Sequence, residues 1–440
     1  MADSRHISPW WWVPTLYFTE GIPYFLVNSI SVMLFAKMGV PNDQLTFFTT
    51  LLYFPWFLKG LWSPFVDILR TKRWWIIAMQ ALMTVLCILL TITLPHPSAE
   101  LIAAKETSVG LFRWTLVFFI IAAFASATHD IAADGYYMLA LDEGRQSAFV
   151  GIRNTFYRIA MVFGQGVLVV LAGWLEKRTG AVSKAWSWTL LATAAILALV
   201  TVYHAFVLPR PDGDRTASDK TGREILREFG QAFGSFFTKP GVGLLVCFLL
   251  LYRLPEALSV KLLYPFFSDA VADGGLGLDK AAFGTVYGTA GVIALLAGGI
   301  LGGWHISRRG LRSCLLPMAL SLALPCAVYL FLALAQPASI WTVGACVVFD
   351  QFGYGYGFTA YTVYMMHFAD GPLKTSHYAI CTGFMALSML LPGAVAGYLQ
   401  EGLGYVGFYV LVMVCCLATV TVTLYARRRV PADYGRVKKD

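Results

Sequence analysis

FFIIAAFASATHDIAADGYYMLAL, from Phe118 to Leu141, is apolar enough to cross a membrane, yet it holds Asp130 and Asp134 near its middle. A charge at bilayer depth costs about 2.5–3.5 kcal/mol on insertion scales, so such residues face a cavity, pair up and mark a pathway. The next apolar stretch carries Arg153 and Arg158, and Glu20, Lys59, Arg253, Glu256 and Asp350 lie in similar surroundings elsewhere. This is the pattern of a machine that moves something polar across a bilayer.

The rest of the chain fits that setting. Its 440 residues are 58% hydrophobic and 13% charged, against about 25% charged in a soluble domain. With roughly 20 apolar residues per span, the length suits an all-α integral membrane protein of twelve transmembrane helices. They are expected near 10–37, 45–69, 74–95, 110–141, 146–175, 184–208, 241–268, 280–305, 311–335, 339–369, 375–400 and 402–427. No small-residue cleavage site closes the first apolar run, so the first helix is expected to stay in the membrane, with Trp10, Trp11 and Trp12 at its interfacial end. Lys and Arg number 21 in the loops of one side, including Arg5, Arg215, Lys220, Lys438 and Lys439, and 7 in those of the other, including Lys280. That bias places both termini in the cytoplasm. It also accounts for the net charge of +8, so no nucleic acid partner is expected.

One long polar linker, 209–240, divides the chain into an N-terminal six-helix bundle, 1–208, and a C-terminal bundle with a basic tail, 241–440. In the linker Ile225, Phe229, Phe233 and Phe237 recur every four residues, with Arg223, Arg227 and Glu228 between them. This predicts an amphipathic helix that braces the halves or lies on the inner surface. The arginine-rich loops WSPFVDILRTKR and GGWHISRRGLRS take equivalent places in the two halves, as in transporters built from repeats.

Asp130 and Asp134 are four apart and share a helix face. Two carboxylates stacked in a low-dielectric cavity do not both ionise cheaply, which suits them to carry a proton. At 1.5 Å per residue, Asp134 and Arg153 lie at matching depths on successive antiparallel helices, and so do Asp130 and Arg158. These are either pairs that trade an arginine for a proton or permanent structural ion pairs. Asp67, beside Arg70, Lys72 and Arg73, reads as a clasp on a loop. Arg253 and Glu256 are three apart, either a self-neutralised pair or substrate contacts. Glu20 and Lys59 either pair with each other or contact cargo. Asp350 opens DQFGYGYGFTAY, where Tyr354, Tyr356 and Tyr361 offer aromatic faces to a ring-bearing solute and Gly353, Gly355 and Gly357 allow close packing. The GxxxG spacings Gly284/Gly288 and Gly393/Gly397 predict close helix contacts. The eight cysteines fall in apolar segments with no CxxC, which reads as packing, with no metal and no cofactor. There is no P-loop, HExxH or nucleophile elbow. The chain is therefore read as a transporter driven by an ion gradient and not an enzyme. A membrane-embedded acyltransferase using His129 or His367 is the remote alternative.

Lys59–Asp67 (KGLWSPFVD), Ala125–Gly135 (ASATHDIAADG), Tyr157-Arg158, Tyr252–Ala257 (YRLPEA) and the TSHYA stretch at Ser376 together resemble the AmpG-like permeases of the major facilitator superfamily, related to acetyl-CoA and siderophore transporters. The resemblance implies the two-bundle major facilitator fold, alternating access, and proton-coupled import of anhydro-muropeptides across the bacterial inner membrane; a monomer is expected. It makes Asp130 and Asp134 the proton-coupling acids; from their depths and neighbouring charges, Arg153, Arg158 and Asp67 are read as the ion-pair and gating set. Glu20, Lys59, Tyr157, Arg253, Glu256, Asp350, Tyr354, Tyr356 and Tyr361 remain as candidate substrate contacts. A siderophore, an acyl-CoA or another glycopeptide is the alternative cargo.

Overall fold

The computed structural model describes residues 7–211, 213–214 and 222–437. Of the loop charges counted above, Arg5, Arg215, Lys220, Lys438 and Lys439 lie outside these residues, as do the side chains of Ile225, Glu228 and Lys280. The described chain is built of helices: α1 (Pro9–Lys37), α2 (Asn42–Leu58), α3 (Ser63–Ile68), α4 (Lys72–Thr93), α5 (Gly110–Ala140), α6 (Glu143–Thr179), α7 (Val182–Val207), α8 (Gly222–Thr238), α9 (Val242–Ser268), α10 (Gly284–Arg309), α11 (Leu311–Ala335), α12 (Ile340–Ala369) and α13 (Lys374–Arg429). Nine stretches among the described residues are long and apolar enough to cross a membrane. Gly404 has φ 67° and ψ 173° inside α13, which only glycine adopts freely, and breaks that run in two.

The chain forms two compact units, 1–140 with 156–230, and 141–155 with 231–440. Each has its own apolar core. The first centres on Ile30, Phe35, Leu86, Leu90, Phe119 and Leu190, the second on Phe266, Phe267, Tyr329, Val347, Phe408 and Tyr409. Residues 141–155, expected with the N-terminal half, cluster with the second unit. There a side chain at Gly151 would strike the backbone of Gly299 and Ile300.

Proline sets the local breaks that position polar groups. Pro64 is tolerated at the start of α3 because the first-turn N–H lacks an intrahelical partner anyway. The chain therefore leaves α2 at Leu58, makes a 3-10 turn over Lys59–Leu61 and restarts at Ser63. Pro255 acts likewise within α9, where helix gives way to turn at Tyr252 and Arg253. In both units a basic residue stands at the break.

The GxxxG expectation needs correction. Gly284, Gly288 and Gly397 face open space, and Gly393 meets only the Lys261 side chain. Gly284–Gly291 is π-helical, and among the described residues no neighbouring helix comes within contact of its Gly284 and Gly288 positions. The close approach lies instead in the glycine–tyrosine segment. Gly353 sits against the Ser321 carbonyl and Gly355 against that of Leu295, where a methyl group would overlap backbone.

Helix α8 falls within the linker, and its buried face differs from the predicted stripe. Phe229 packs on Phe65 in the first unit, with centroids 4.9 Å apart. In the second, Phe236 is fully buried against Phe368, His377 and Phe384, while Phe237 is 53% exposed. At 3.6 residues per turn an i+4 repeat drifts around the helix, so Phe236 and not Phe237 lies in line with Phe229.

The tail after α13 folds back on the second unit. The Leu311 amide donates to the Tyr434 carbonyl at 2.8 Å, and the Val437 amide to that of Ser307 at 2.8 Å. The Tyr434 ring is buried edge-on to His367 at 4.4 Å. Burial, reinforced by the carboxylates of Glu143 and Asp370, holds its phenol protonated well above the usual tyrosine range.

Candidate functional site

In the first unit the break after α2 delivers Lys59 to the middle of α5. Its ammonium makes an ion pair with Asp130, and both side chains are largely buried. Trp62 fixes the same turn to α5 by donating from its indole nitrogen to the Thr128 hydroxyl at 3.2 Å. One helical turn beyond Asp130, buried Asp134 accepts a hydrogen bond from the Tyr17 hydroxyl at 3.3 Å. Glu20, on α1 and 5% exposed, completes the group. Ligand oxygens of Glu20, Asp130 and Asp134 lie within 4.8 Å of one another. Lys59 already supplies a cation there, so the donor set suits a lysine and exchangeable protons better than a metal ion.

Depth matching alone assigned Arg158 to Asp130 and Arg153 to Asp134. The structure adds Lys59 as a partner of Asp130, from a helix that matching did not consider. Arg153 belongs to the second unit, with its guanidinium 5.7 Å over the Tyr378 ring. Tyr157 packs on Tyr24 and Phe25 at centroid distances of 6.0 and 5.6 Å. Asp67 accepts from Lys72 at 3.0 Å, both nearly buried. Asp214 reinforces this corner by accepting from the Lys72 and Arg73 amides at 2.6 and 3.1 Å. An acid on the first-turn N–H groups of α4 offsets the helix dipole.

A chain of hydrogen bonds that residue spacing did not reveal ends at His129 on α5. Thr15 meets His204 Nε2 at 3.0 Å, His204 Nδ1 meets Gln80 Oε1 at 3.1 Å, and Gln80 Nε2 meets His129 Nε2 at 2.9 Å. It ties α1, α7, α4 and α5 together. His129 is thereby engaged in structure.

The second unit has its own polar set. Arg253 pairs with Glu256 in bidentate fashion, at 2.9 and 3.3 Å, and donates to the Tyr354 hydroxyl at 3.0 Å. Its guanidinium also lies 4.9 Å from the Phe358 ring centroid. Tyr361 is fully buried and donates to the Leu249 carbonyl at 2.8 Å, so it packs the core. The Tyr356 hydroxyl is bonded to His305. Asp350 accepts at Oδ2 from Tyr329 at 2.6 Å and from Gln351 at 2.9 Å.

The family model described as Major Facilitator Superfamily matches residues 15–391. This chain belongs to the Major Facilitator Superfamily. As a member of that superfamily it is a multi-pass membrane transporter. The transporter is 24% identical over 429 residues to the Anhydromuropeptide permease of Escherichia coli (strain K12), covering 96% of this chain and 80% of that protein. It is 22% identical to the Putative transporter AmpG 4 of Rickettsia felis, over 93% of this chain and 94% of that one. Among solved structures, the Escherichia coli fucose:proton symporter FucP superposes with a TM-score of 0.68 at 17% identity, covering 95% of this chain and 98% of that one. The proton:xylose symporter XylE does so with a TM-score of 0.63 at 12% identity, covering 97% and 95%. These likenesses establish the all-helical major facilitator fold.

Proposed function

We propose that this transporter is a proton-driven symporter that imports anhydro-muropeptides, the GlcNAc–anhydroMurNAc peptides of cell-wall recycling, across the bacterial inner membrane. The observation that carries the reading is the buried grouping of three carboxylates, Glu20, Asp130 and Asp134, around the single Lys59 ammonium. A carboxylate released from Lys59 in such surroundings takes up a proton, and regaining the lysine expels it. The relatives named as anhydromuropeptide and AmpG transporters support the cargo, and the two neighbours titled proton symporters support the driving ion. Asp130 and Asp134 are the coupling acids in this reading. Arg153, Arg158 and Asp67 hold or release conformations, and Arg253, Glu256 and Tyr354 face the cargo. The topology is twelve spans in two bundles with cytoplasmic termini, obtained by adding α2 with α3, adding α12, and counting α13 as two helices across Gly404. The protein works as a monomer.

The test is uptake of radiolabelled GlcNAc–anhydroMurNAc tripeptide into proteoliposomes under an imposed proton gradient. Wild type is expected to accumulate it, and Asp130→Asn and Asp134→Asn are expected to lose accumulation while still reconstituting normally. Gradient-driven accumulation preserved in both variants refutes the coupling role. A wild-type protein that ignores the muropeptide but accumulates another solute overturns the cargo.

A further inference from the structure

The second unit holds a carboxylate whose electrostatic position differs from that of Asp130, Asp67 and Glu256. Asp350 lies on α12 and is 8% exposed. Asp130 has Lys59, Asp67 has Lys72 and Glu256 has Arg253. Among the described residues Asp350 has no lysine, arginine or histidine within ion-pair distance; its partners are two neutral donors. Both donors converge on one oxygen, Oδ2, and neither reaches Oδ1.

The groups around it do not supply the missing positive charge. Tyr329, from α11, and Gln351, its neighbour on α12, are the two donors. Tyr409 comes from α13, Cys326 from α11, and Glu256 from α9 is the other charged group close enough to act on it. Tyr287, from α10, stands beyond Gln351 at 3.5 Å. Among the described residues this shell holds no lysine, arginine or histidine. Glu256 is in turn neutralised by Arg253, so that arginine is already engaged.

An undissociated carboxyl group fits this geometry. Its carbonyl oxygen accepts two hydrogen bonds, as Oδ2 does, and its hydroxyl occupies the other oxygen. A buried carboxylate with neutral donors and no countercharge is the costlier species. We propose that Asp350 is a second proton-binding site, in the second unit, carrying its proton on Oδ1 while Tyr329 and Gln351 hold Oδ2. This goes beyond the coupling acids of the first unit and removes Asp350 from the cargo-binding set. Only its consequence for transport, a proton bound separately from that at Asp130, rests on the symport reading.

The test needs no cargo. Infrared spectra of the full-length protein in lipid nanodiscs are recorded through a pH titration for wild type, Asp350→Asn, Asp130→Asn and Tyr329→Phe. Wild type is expected to show the carbonyl stretch of an undissociated acid that Asp350→Asn loses and Asp130→Asn keeps. Tyr329→Phe is expected to move that band to higher frequency, because a donor to the carbonyl has gone. Spectra of Asp350→Asn that match wild type throughout the titration overturn the proposal. Should Asp350→Asn fail to reconstitute, Tyr329→Phe decides: a moved band supports the assignment, and an unmoved one overturns it. Loss of uptake in Asp130→Asn with no Asp350 band would leave the symport reading standing and this inference refuted.

Discussion

Lys59 is the residue on which the first unit's polar interior turns. Its ammonium faces Asp130 directly, with Asp134 and Glu20 close enough to act on the same charge. Removing one partner of a buried pair strands the other and costs about 3–5 kcal/mol, whereas replacing both by uncharged residues is often close to neutral. Lys59→Met and Asp130→Asn are each expected to lower the thermal unfolding temperature of the purified protein clearly. The double variant is expected to recover most of the loss, and strictly additive losses would show that the two side chains are not coupled. The acids themselves were legible, because a charge inside an apolar run announces itself. Their partner was not: depth along consecutive helices says nothing about which non-consecutive helix packs alongside, and Lys59 arrives from α2 only because the chain breaks before Pro64. Tyr17 was hidden for another reason. A tyrosine in an apolar helix reads as packing until its hydroxyl is seen to end on Asp134.

At the scale of the element, α8 shows how period and face part company. Its amphipathic character followed from sequence, but a strict four-residue repeat selects the wrong phenylalanine by the third turn. Phe236 is fully buried among Phe368, His377 and Phe384, and Phe237 is 53% exposed. Truncating a buried phenylalanine costs about 3–5 kcal/mol, and an exposed one about 0.5 kcal/mol or less. Phe236→Ala is therefore expected to unfold at a markedly lower denaturant concentration than wild type, while Phe237→Ala unfolds within error of it. The reverse order would return the stripe to its sequence-based face. The glycines carry the same lesson. Spacing picked Gly284 and Gly288, but among the described residues no neighbouring helix is brought against either of them. The glycines that matter, at 353 and 355, are identified by what the neighbouring helix brings against them.

For the whole molecule the question is how many times the chain crosses the bilayer, and two features of the candidate sites bear on it. Helix α2, at 17 residues, ends at the break that delivers Lys59. Helix α12, 30 residues long, carries Asp350, Gln351 and the glycine–tyrosine run. Both fall outside the nine stretches that length and apolarity select. Polar groups placed at bilayer depth interrupt the very signal by which a span is read. If α2 with α3 crosses, three spans separate Ser8 from Glu100, and the two lie on opposite sides. If it does not, two spans separate them, and they share a side. Six stretches separate Glu100 from Ala338 on either count, so those two residues serve as an internal control. Single-cysteine variants Ser8→Cys, Glu100→Cys, Ala338→Cys and Asp433→Cys, in a background with the eight native cysteines replaced, are to be probed in spheroplasts with a membrane-impermeant maleimide. The charge bias of the loops predicts labelling at 100 and 338 in intact spheroplasts, and at 8 and 433 only after lysis. Labelling of 8 together with 100 before lysis would take α2 out of the membrane, and with it the depth at which Lys59 meets Asp130.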